Sequence, residues 1–439
     1  MNTSLRMQYL VRHEQEGQYL TVPFTMPPDV ESLSLTYHYE RYSGSETDVP
    51  HGHFTPRQGI NIIDLGLIAP DGTEVGETGS DKISIQVSET YATPGYRPCR
   101  LIPGEWRILL GAYKVTPDGV TVTYELTFTP NRRRLLKGDL HVHTLASDGV
   151  LTAAELGRHA LRHGLDFLAI TDHNQMVTAD ALPHIPGLTL IPGIEWTHYR
   201  GHANFTGVDR PYDGSFAANT IEEVAARFVA ARARGALITI AHPFDESCPF
   251  LFDLDALPFD CIEVWNGPMR PANLHALGWW HRLLAAGKKI PVCGGSDYHR
   301  SQLFLFPGGP TTCVYALSAG ASDILAALRA GHAYIVFAPD GPTLDMTAGE
   351  AMLGDSVPFA RVKEMQVHVT GLHAGDMLQV VTAQGSTVLL KAEAPGDFYG
   401  SYTMEAPGFA RVEILREFVP GVPMLPALIS NPIYFELPA

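Results

Sequence analysis

Hydrophobic and polar residues alternate with a period of two over much of the first 130 residues. Val120, Val122, Tyr124, Leu126 and Phe128 follow an Asp118-Gly119 turn, Leu33, Leu35, Tyr37 and Tyr39 repeat the pattern, and Asp71-Gly72 separates two further strand-like runs. Side chains on a strand point alternately to opposite faces, so this pattern predicts half-buried strands joined by tight turns. An all-β, sandwich-like domain is expected over residues 1–130.

The pattern changes between about 135 and 340. Short apolar runs (Asp166–Ile170, Leu237–Ala241, Cys261–Trp265, Ile290–Cys293) alternate with segments of helical spacing. Thr152 with Glu155, and Thr220 with Glu223, have the spacing of capping boxes, in which each side chain satisfies a backbone N–H at a helix start. The second of these helices should stop at Gly235. Strand and helix in alternation predict an α/β domain with a largely parallel sheet or barrel. From 341 the period of two returns (Met365, Val367, Val369, then a Gln384-Gly385 turn), so residues 341–439 read as a further β domain.

Composition narrows the function classes. The chain has 439 residues, 45% of them hydrophobic and 18% charged, with a formal net charge of −16. That balance speaks against a broad basic surface for nucleic acid. Asn131-Arg132-Arg133-Arg134 is a local exception and reads as a solvated linker. No apolar run is long enough to cross a bilayer, and charges interrupt the start where a secretion signal would be apolar, so no membrane association is expected. Five cysteines without CxxC spacing fit buried thiols in a reducing compartment, which points to a cytoplasmic location.

Twelve of the 19 histidines fall between 141 and 299, and several stand where a strand-like run meets a loop. In a parallel sheet or barrel those ends converge on one face. GDLHVHTLASDG carries His141, His143 and Asp148, and the two histidines, two apart on a strand, face the same side. DFLAITDHN ends in Asp172 and His173. PGIEWTHYRGHANFTG carries Glu195, His198 and His202. ITIAHPFD places His242 at a strand end, where Pro243 stops the ladder. VCGGSDYHR carries Asp297 and His299. Imidazole and carboxylate without thiolate suit a catalytic Zn2+, Mn2+ or Fe2+ site better than a structural zinc knot. Five separate strand ends delivering such groups are hard to explain as satisfied core polars. His159 and His163 read instead as exposed residues of a last helical turn, and His51 and His53 as a surface loop; the pattern gives His198 no definite role. Arg200, Asn204 and Arg300 stand beside the clusters and could clamp phosphate oxygens.

These five clusters, in this order and spacing, resemble the PHP (polymerase and histidinol phosphatase) domain over about 135–340, in particular the metal-dependent phosphoesterases of the CehA/McbA group. GPTLDM and SNPIYFEL resemble the β appendage common there. The resemblance implies a distorted (β/α)7 barrel, flanked here by N-terminal and C-terminal all-β domains, holding two or three divalent ions (Zn2+, Mn2+ or Fe2+). It implies that His141, His143, Glu195 and Asp297 hold one ion, that Glu195 bridges to a second held by His202 and His242, and that Asp148, His173 and His299 form a third set. The implied activity is hydrolysis of a small phosphate mono- or diester, with Glu195, Asp297 and Arg200 as catalytic residues. Water shared by two divalent cations loses a proton near neutral pH, and the resulting hydroxide would attack phosphorus. The same ligands could serve a carbamate or amide ester, and a non-catalytic binding module on the same scaffold is a third reading.

Overall fold

The computed structural model describes residues 2–42 and 59–437. His51 and His53 lie outside the described residues. The chain divides into two compact units, Met1–Arg132 and Arg133–Ala439.

In the first unit the alternating segments form two four-stranded antiparallel sheets. One runs Thr3–Val11, Val120–Pro130, Val30–His38, Ser84–Ser88, and the other Tyr19–Met26, Gly104–Lys114, Ile62–Ile68, Glu74–Thr78. Leu33, Leu35, Tyr37, Val122 and Tyr124 from the first and Ile63, Leu65, Trp106 and Ile108 from the second share one buried cluster. The period of two therefore reports a real inner face on each sheet.

The second unit is mixed α/β. Residues Thr189–Ile191, Phe167–Ile170 and Arg134–Val142 lie side by side in parallel, and Thr311–Ala316 joins Arg134–Val142 antiparallel. A separate five-stranded sheet follows the order Gly193–His198, Gly201–Thr206, Leu237–Ile240, Cys261–Asn266, Val292–Gly295. Its first two pairings are antiparallel and its last two parallel. Single parallel bridges, Val142 to Tyr298 and His173 to Glu195, link the two sheets.

Four α-helices occur among the described residues: α1 (Ala153–Arg162), α2 (Ile221–Ala233), α3 (Pro271–Ala285) and α4 (Ala321–Arg329). Both expected capping boxes are formed, Thr152 with Glu155 on α1 and Thr220 with Glu223 on α2. Strict strand and helix alternation is not what the chain does. Between 170 and 189, and between 240 and 261, the connections hold only a 3-10 turn (Ala179–Ala181, Leu254–Ala256). Prolines at 183 and 186, and at 243, 249 and 258, remove donors and fix φ there, which keeps these stretches out of an α-helix.

The C-terminal strands continue the sheet rather than standing apart from it. Leu425–Ser430 pairs antiparallel with Ala333–Val336, and the sheet extends onward through Gly408–Arg416 and Met377–Thr382. Asn431 bonds the backbone of Val292 in both directions, at 2.9 and 3.0 Å. A four-stranded antiparallel sheet (Ala351–Met352, Thr343–Ala348, Glu364–Leu372, Gly396–Thr403) completes this part.

Candidate metal centre

Both sheets send their candidate metal-ligating side chains to one place. His141 and His143 leave the end of Arg134–Val142 on the same side, both fully buried. The chain beyond Val292–Gly295 stays beside them: Asp297 N donates to His141 O at 2.8 Å, and His143 N donates to Tyr298 O at 2.9 Å. That close approach needs Gly295, because a Cβ there would stand 2.4 Å from the Cβ of His141. Asp297 and His242 both have positive φ, 54° and 26°. Non-glycine residues rarely adopt this conformation, and it turns both side chains inward just past their strand ends.

Glu195 is the centre of the cluster. It is fully buried, with Oε1 at 2.9 Å from His202 Nδ1, 3.1 Å from His242 Nε2 and 3.4 Å from His141 Nε2. Its Oε2 lies 2.7 Å from His173 Nδ1 and 3.6 Å from His143 Nε2. Asp297 Oδ1 stands 3.1 Å from His143 Nε2 and 3.5 Å from His141 Nε2. Asp148 Oδ1 reaches His299 Nε2 at 3.2 Å, and Asp148 Oδ2 reaches His173 Nε2 at 3.8 Å. One carboxylate thus faces five imidazoles, and two more carboxylates stand at the edge.

Residues with donor atoms within 4.8 Å of one another fall into overlapping groups: His141, His143, Glu195; His141, His242, Asp297; His173, Glu195, His202; and His143, Asp148, His173, His299. The nine side chains expected from the sequence therefore come together. The set fits divalent cations on its own chemistry. His141 Nε2, both ring nitrogens of His143 and Glu195 Oε2 are buried without a well-directed hydrogen bond among the described residues, since His173 Nδ1, close as it is to Oε2, bonds Thr197 Oγ1 at 2.6 Å, and such atoms are costly to bury unless something else satisfies them.

Protons take the place of cations in the metal-free electrostatics. Burial disfavours charge on His141, but Glu263, Asp297 and Glu195 outweigh it and hold its pKa well above the ordinary value. His242 is raised against its burial by Cys248 and Glu195, and His173 by Glu195 and Asp148. Glu195 is held well below the usual carboxylate range, because His141, His173 and His202 outweigh its burial. His143 goes the other way, lowered by burial.

Three side chains absent from the expected set support the cluster. Glu263, 2% exposed, lies 3.1 Å from His141 Nδ1 through Oε1 and accepts from His242 N at 2.8 Å through Oε2. Asp139 accepts from Ser296 N at 2.9 Å and Gly308 N at 2.7 Å, which fixes the segment before Asp297; burial pushes its carboxyl up to about 6. Cys248 Sγ sits 3.7 Å from His242 Nδ1 and groups with His202 and His242. Asp172, beside His173, accepts from Thr144 N, Thr144 Oγ1 and Ser147 Oγ, each at 2.7 Å, and so fixes the turn after His143. A glutamate within the apolar run CIEVWN was the available sign of Glu263, since an unpaired buried carboxylate is rare. No comparable signal marks Cys248.

Other candidates lie elsewhere. Arg200 donates to Leu251 O at 3.2 Å and stacks over the Phe252 ring at 5.1 Å, so its guanidinium is engaged beside the cluster and not on it. His198 accepts from Arg200 N at 3.0 Å and meets Ala218 O at 3.0 Å, a structural role. Asn204 stands opposite Glu195 in the strand register, buried, with Oδ1 unpartnered among the described residues. His159 and His163 are half-buried with their Nε2 atoms 3.1 Å apart, because His163 packs on Phe306. Immediately after His242, an aromatic cleft of about 350 Å³ opens between Pro243, Phe244, Phe250, Phe252, Phe259 and Trp279.

No protein-family model matches the chain. Over 109 residues it is 34% identical to the DNA polymerase/3'-5' exonuclease PolX of Bacillus subtilis, covering 25% of this chain and 17% of that protein. Over 62 residues it is 40% identical to a 5'-3' exoribonuclease of Haemophilus influenzae, covering 13% and 23%. The matches thus span less than a quarter of either curated relative. Among solved structures, the chain is similar to a two-domain protein from Bacteroides vulgatus containing a predicted PHP-like metal-dependent phosphoesterase (17% identity, 68% of this chain and 95% of that one, TM-score 0.40). It is also similar to a putative metal-dependent phosphoesterase from Bifidobacterium adolescentis (19% identity, 37% and 87%, TM-score 0.27).

Proposed function

We propose that the chain is a metal-dependent phosphoesterase of the PHP type, acting on a small phosphate ester. The observation that carries this reading is Glu195: one buried carboxylate faced by five imidazoles, whose own Oε2 and the nitrogens of His141 and His143 beside it lack a well-directed hydrogen bond among the described residues. The two curated relatives are both named as exonucleases, that is, as enzymes that cleave phosphodiester bonds. The same reading takes the two sheets as arcs of one distorted (β/α)7 barrel, joined by the bridges at Val142 and His173.

In this proposal His141, His143, Glu195 and Asp297 hold one divalent ion. Glu195 is shared with a second, held by His202 and His242, and Asp148, His173 and His299 would hold a third. Bound there, such ions supply positive charge that acidifies water and offsets the charge building on the ester oxygens. The protein's own groups do the rest. Glu263 keeps the His141 proton on Nδ1 and so presents the Nε2 lone pair to the cluster. Asp172 and Asp139 fix the segments that carry His143 and Asp297. The aromatic cleft beyond Pro243 offers a wall for an apolar leaving group.

Activity of the full chain, loaded with Mn2+ or Zn2+, on aryl phosphates against aryl carbamates tests the reading. Turnover of phosphates that chelation abolishes is expected. Turnover of carbamates alone would move the chemistry to carbon, and no turnover of either would overturn it.

A further inference from the structure

Four of the five cysteines are accounted for by packing: Cys261, Cys293 and Cys313 lie within apolar clusters, and Cys99 packs against another. Cys248 belongs to no such cluster among the described residues and is half-buried among polar groups. The loop after His242 holds it there. Asp245 N donates to His242 O and Phe250 N to Pro243 O, each at 3.0 Å, so the loop closes on itself. Asp245 Oδ1 accepts from Ser247 N at 2.8 Å and from Cys248 N at 3.3 Å. From outside the loop, Arg270 Nη1 lies 3.1 Å from Asp245 Oδ2, and Arg270 Nη2 donates to Asn266 Oδ1 at 2.6 Å. The carboxylate that positions Cys248 is thus clamped by the residue that precedes α3.

Cys248 Sγ consequently stands 3.7 Å from Nδ1 of buried His242, and no other hydrogen-bonding group meets that nitrogen among the described residues. At a tetrahedral ion, Zn–N of about 2.0–2.1 Å and Zn–S of about 2.3 Å put the two donor atoms about 3.6 Å apart. The pair is therefore already at the separation that one such ion demands. His202 supplies a third donor: one ligand atom each from His202, His242 and Cys248 lie within 4.8 Å of one another. Sulfur beside two imidazoles suits a thiophilic cation, whereas carboxylate suits Mn2+.

We propose that His202, His242 through Nδ1, and Cys248 form a site for a thiophilic divalent cation such as Zn2+ or Cd2+, beside the Glu195 position and alternative to it. The inference goes beyond the phosphoesterase reading while resting on its metal centre. His242 turns Nε2 to Glu195 Oε1 at 3.1 Å and Nδ1 to Cys248, so the two positions draw on the same histidines. On binding, the thiol proton leaves to solvent and the thiolate sulfur donates an electron pair to the ion. Glu195 then accepts from His242 Nε2–H as an outer partner that orients the ring. The cation decides which position fills: Mn2+ stays with Glu195, and a thiophilic ion moves to the sulfur.

Full-length protein stripped with chelator and titrated with single metals gives the test. Co2+ is expected to produce a near-ultraviolet thiolate charge-transfer band that is lost in Cys248→Ser and kept in Cys99→Ser. In the wild type, saturating Cd2+ should slow iodoacetamide alkylation of Cys248, followed by mass spectrometry, about tenfold or more, and saturating Mn2+ less than about twofold. This arm needs no variant, so it decides the matter even if Cys248→Ser fails to fold. The preference for Cd2+ over Mn2+, from competition with a chromophoric chelator, should fall about tenfold or more in Cys248→Ser. Co2+ bound without the band, alkylation that Cd2+ does not slow, or an unchanged cation preference in Cys248→Ser overturns the inference and leaves the metal centre standing, with Cys248 only a hydrogen-bond partner of His242. A sulfur-bound ion in protein that hydrolyses no phosphate ester supports the site and overturns the phosphoesterase reading. Protein that binds none of these ions overturns both.

Discussion

Glu263 reaches Nδ1 of His141 at 3.1 Å from the neighbouring sheet, while its other oxygen accepts the backbone N–H of His242 at 2.8 Å. One carboxylate therefore orients two candidate ligands of different ions. Loss of such an outer partner typically costs about 10–100-fold in metal affinity or activity. Glu263→Ala is expected to weaken metal binding by about that factor, measured by competition with a chromophoric chelator, and Glu263→Gln by less. Unchanged affinity in Glu263→Ala would show that His141 is oriented by its strand alone.

Much of this arrangement was legible in the sequence. The positions of His141, His143, His242 and Asp297 could be located because apolar runs stop there, and alternation put His141 and His143 on one side; Glu195 and His202, expected at strand ends too, instead lie within Gly193–His198 and Gly201–Thr206. What could not be read was long-range. The pairing of Glu195 with His202 and His242 depends on an antiparallel hairpin, Gly193–His198 with Gly201–Thr206, inside a region whose periodicity suggested parallel strands. Glu263 and Asp139 sit within apolar runs, where period alone cannot say that a carboxylate faces inward to a histidine. Arg200 looked well placed by proximity in sequence, but the turn at 199–201 directs its guanidinium to Leu251 and Phe252. The tail read as a separate β domain because its alternation is clear, yet edge pairing to Ala333–Val336 is invisible locally.

That pairing carries a prediction about stability. Leu425–Ser430 covers the strand edge of Ala333–Val336, and Ile335, Ile429 and Val292 share one buried cluster. Deleting residues 341–439 would expose that edge and those side chains together. The 1–340 fragment is expected to be insoluble or to lose its cooperative melting transition. A soluble 1–340 fragment that melts cooperatively would mean that the tail is dispensable for folding.

The ionisation pattern gives a pH dependence for the metal-free protein. His141, His173 and His242 are raised, so they contribute stability present below the ordinary histidine value of 6.5 and lost as pH rises through their folded values. Glu195, depressed from 4.5, and Asp297, depressed from 3.8, contribute stability present above those values and lost as pH falls. His143 opposes the other histidines. Chelated protein is expected to be most stable between about pH 4.5 and 6.5. Metal binding requires neutral imidazole, so its stabilisation should grow with pH. The rise in melting temperature on adding Zn2+ or Mn2+ should be larger near pH 8 than near pH 6. A rise that shrinks with increasing pH would show that these histidines are not the ligands.

Metal content of the wild type and of Glu195→Gln, by elemental analysis of protein purified without chelator, tests the central claim most directly. A shared carboxylate both binds two ions and offsets their repulsion, and the amide keeps its shape without the charge. The wild type is predicted to carry about two or more divalent ions per chain. Glu195→Gln should lose most of them, keep its fold by circular dichroism, and drop at least ~100-fold in kcat. His368→Ala, a histidine stacked on Tyr399 in the C-terminal region, should leave both quantities unchanged. Less than one ion per wild-type chain with no activity restored by Mn2+ or Zn2+, or a Glu195→Gln variant with wild-type metal content, would contradict the account.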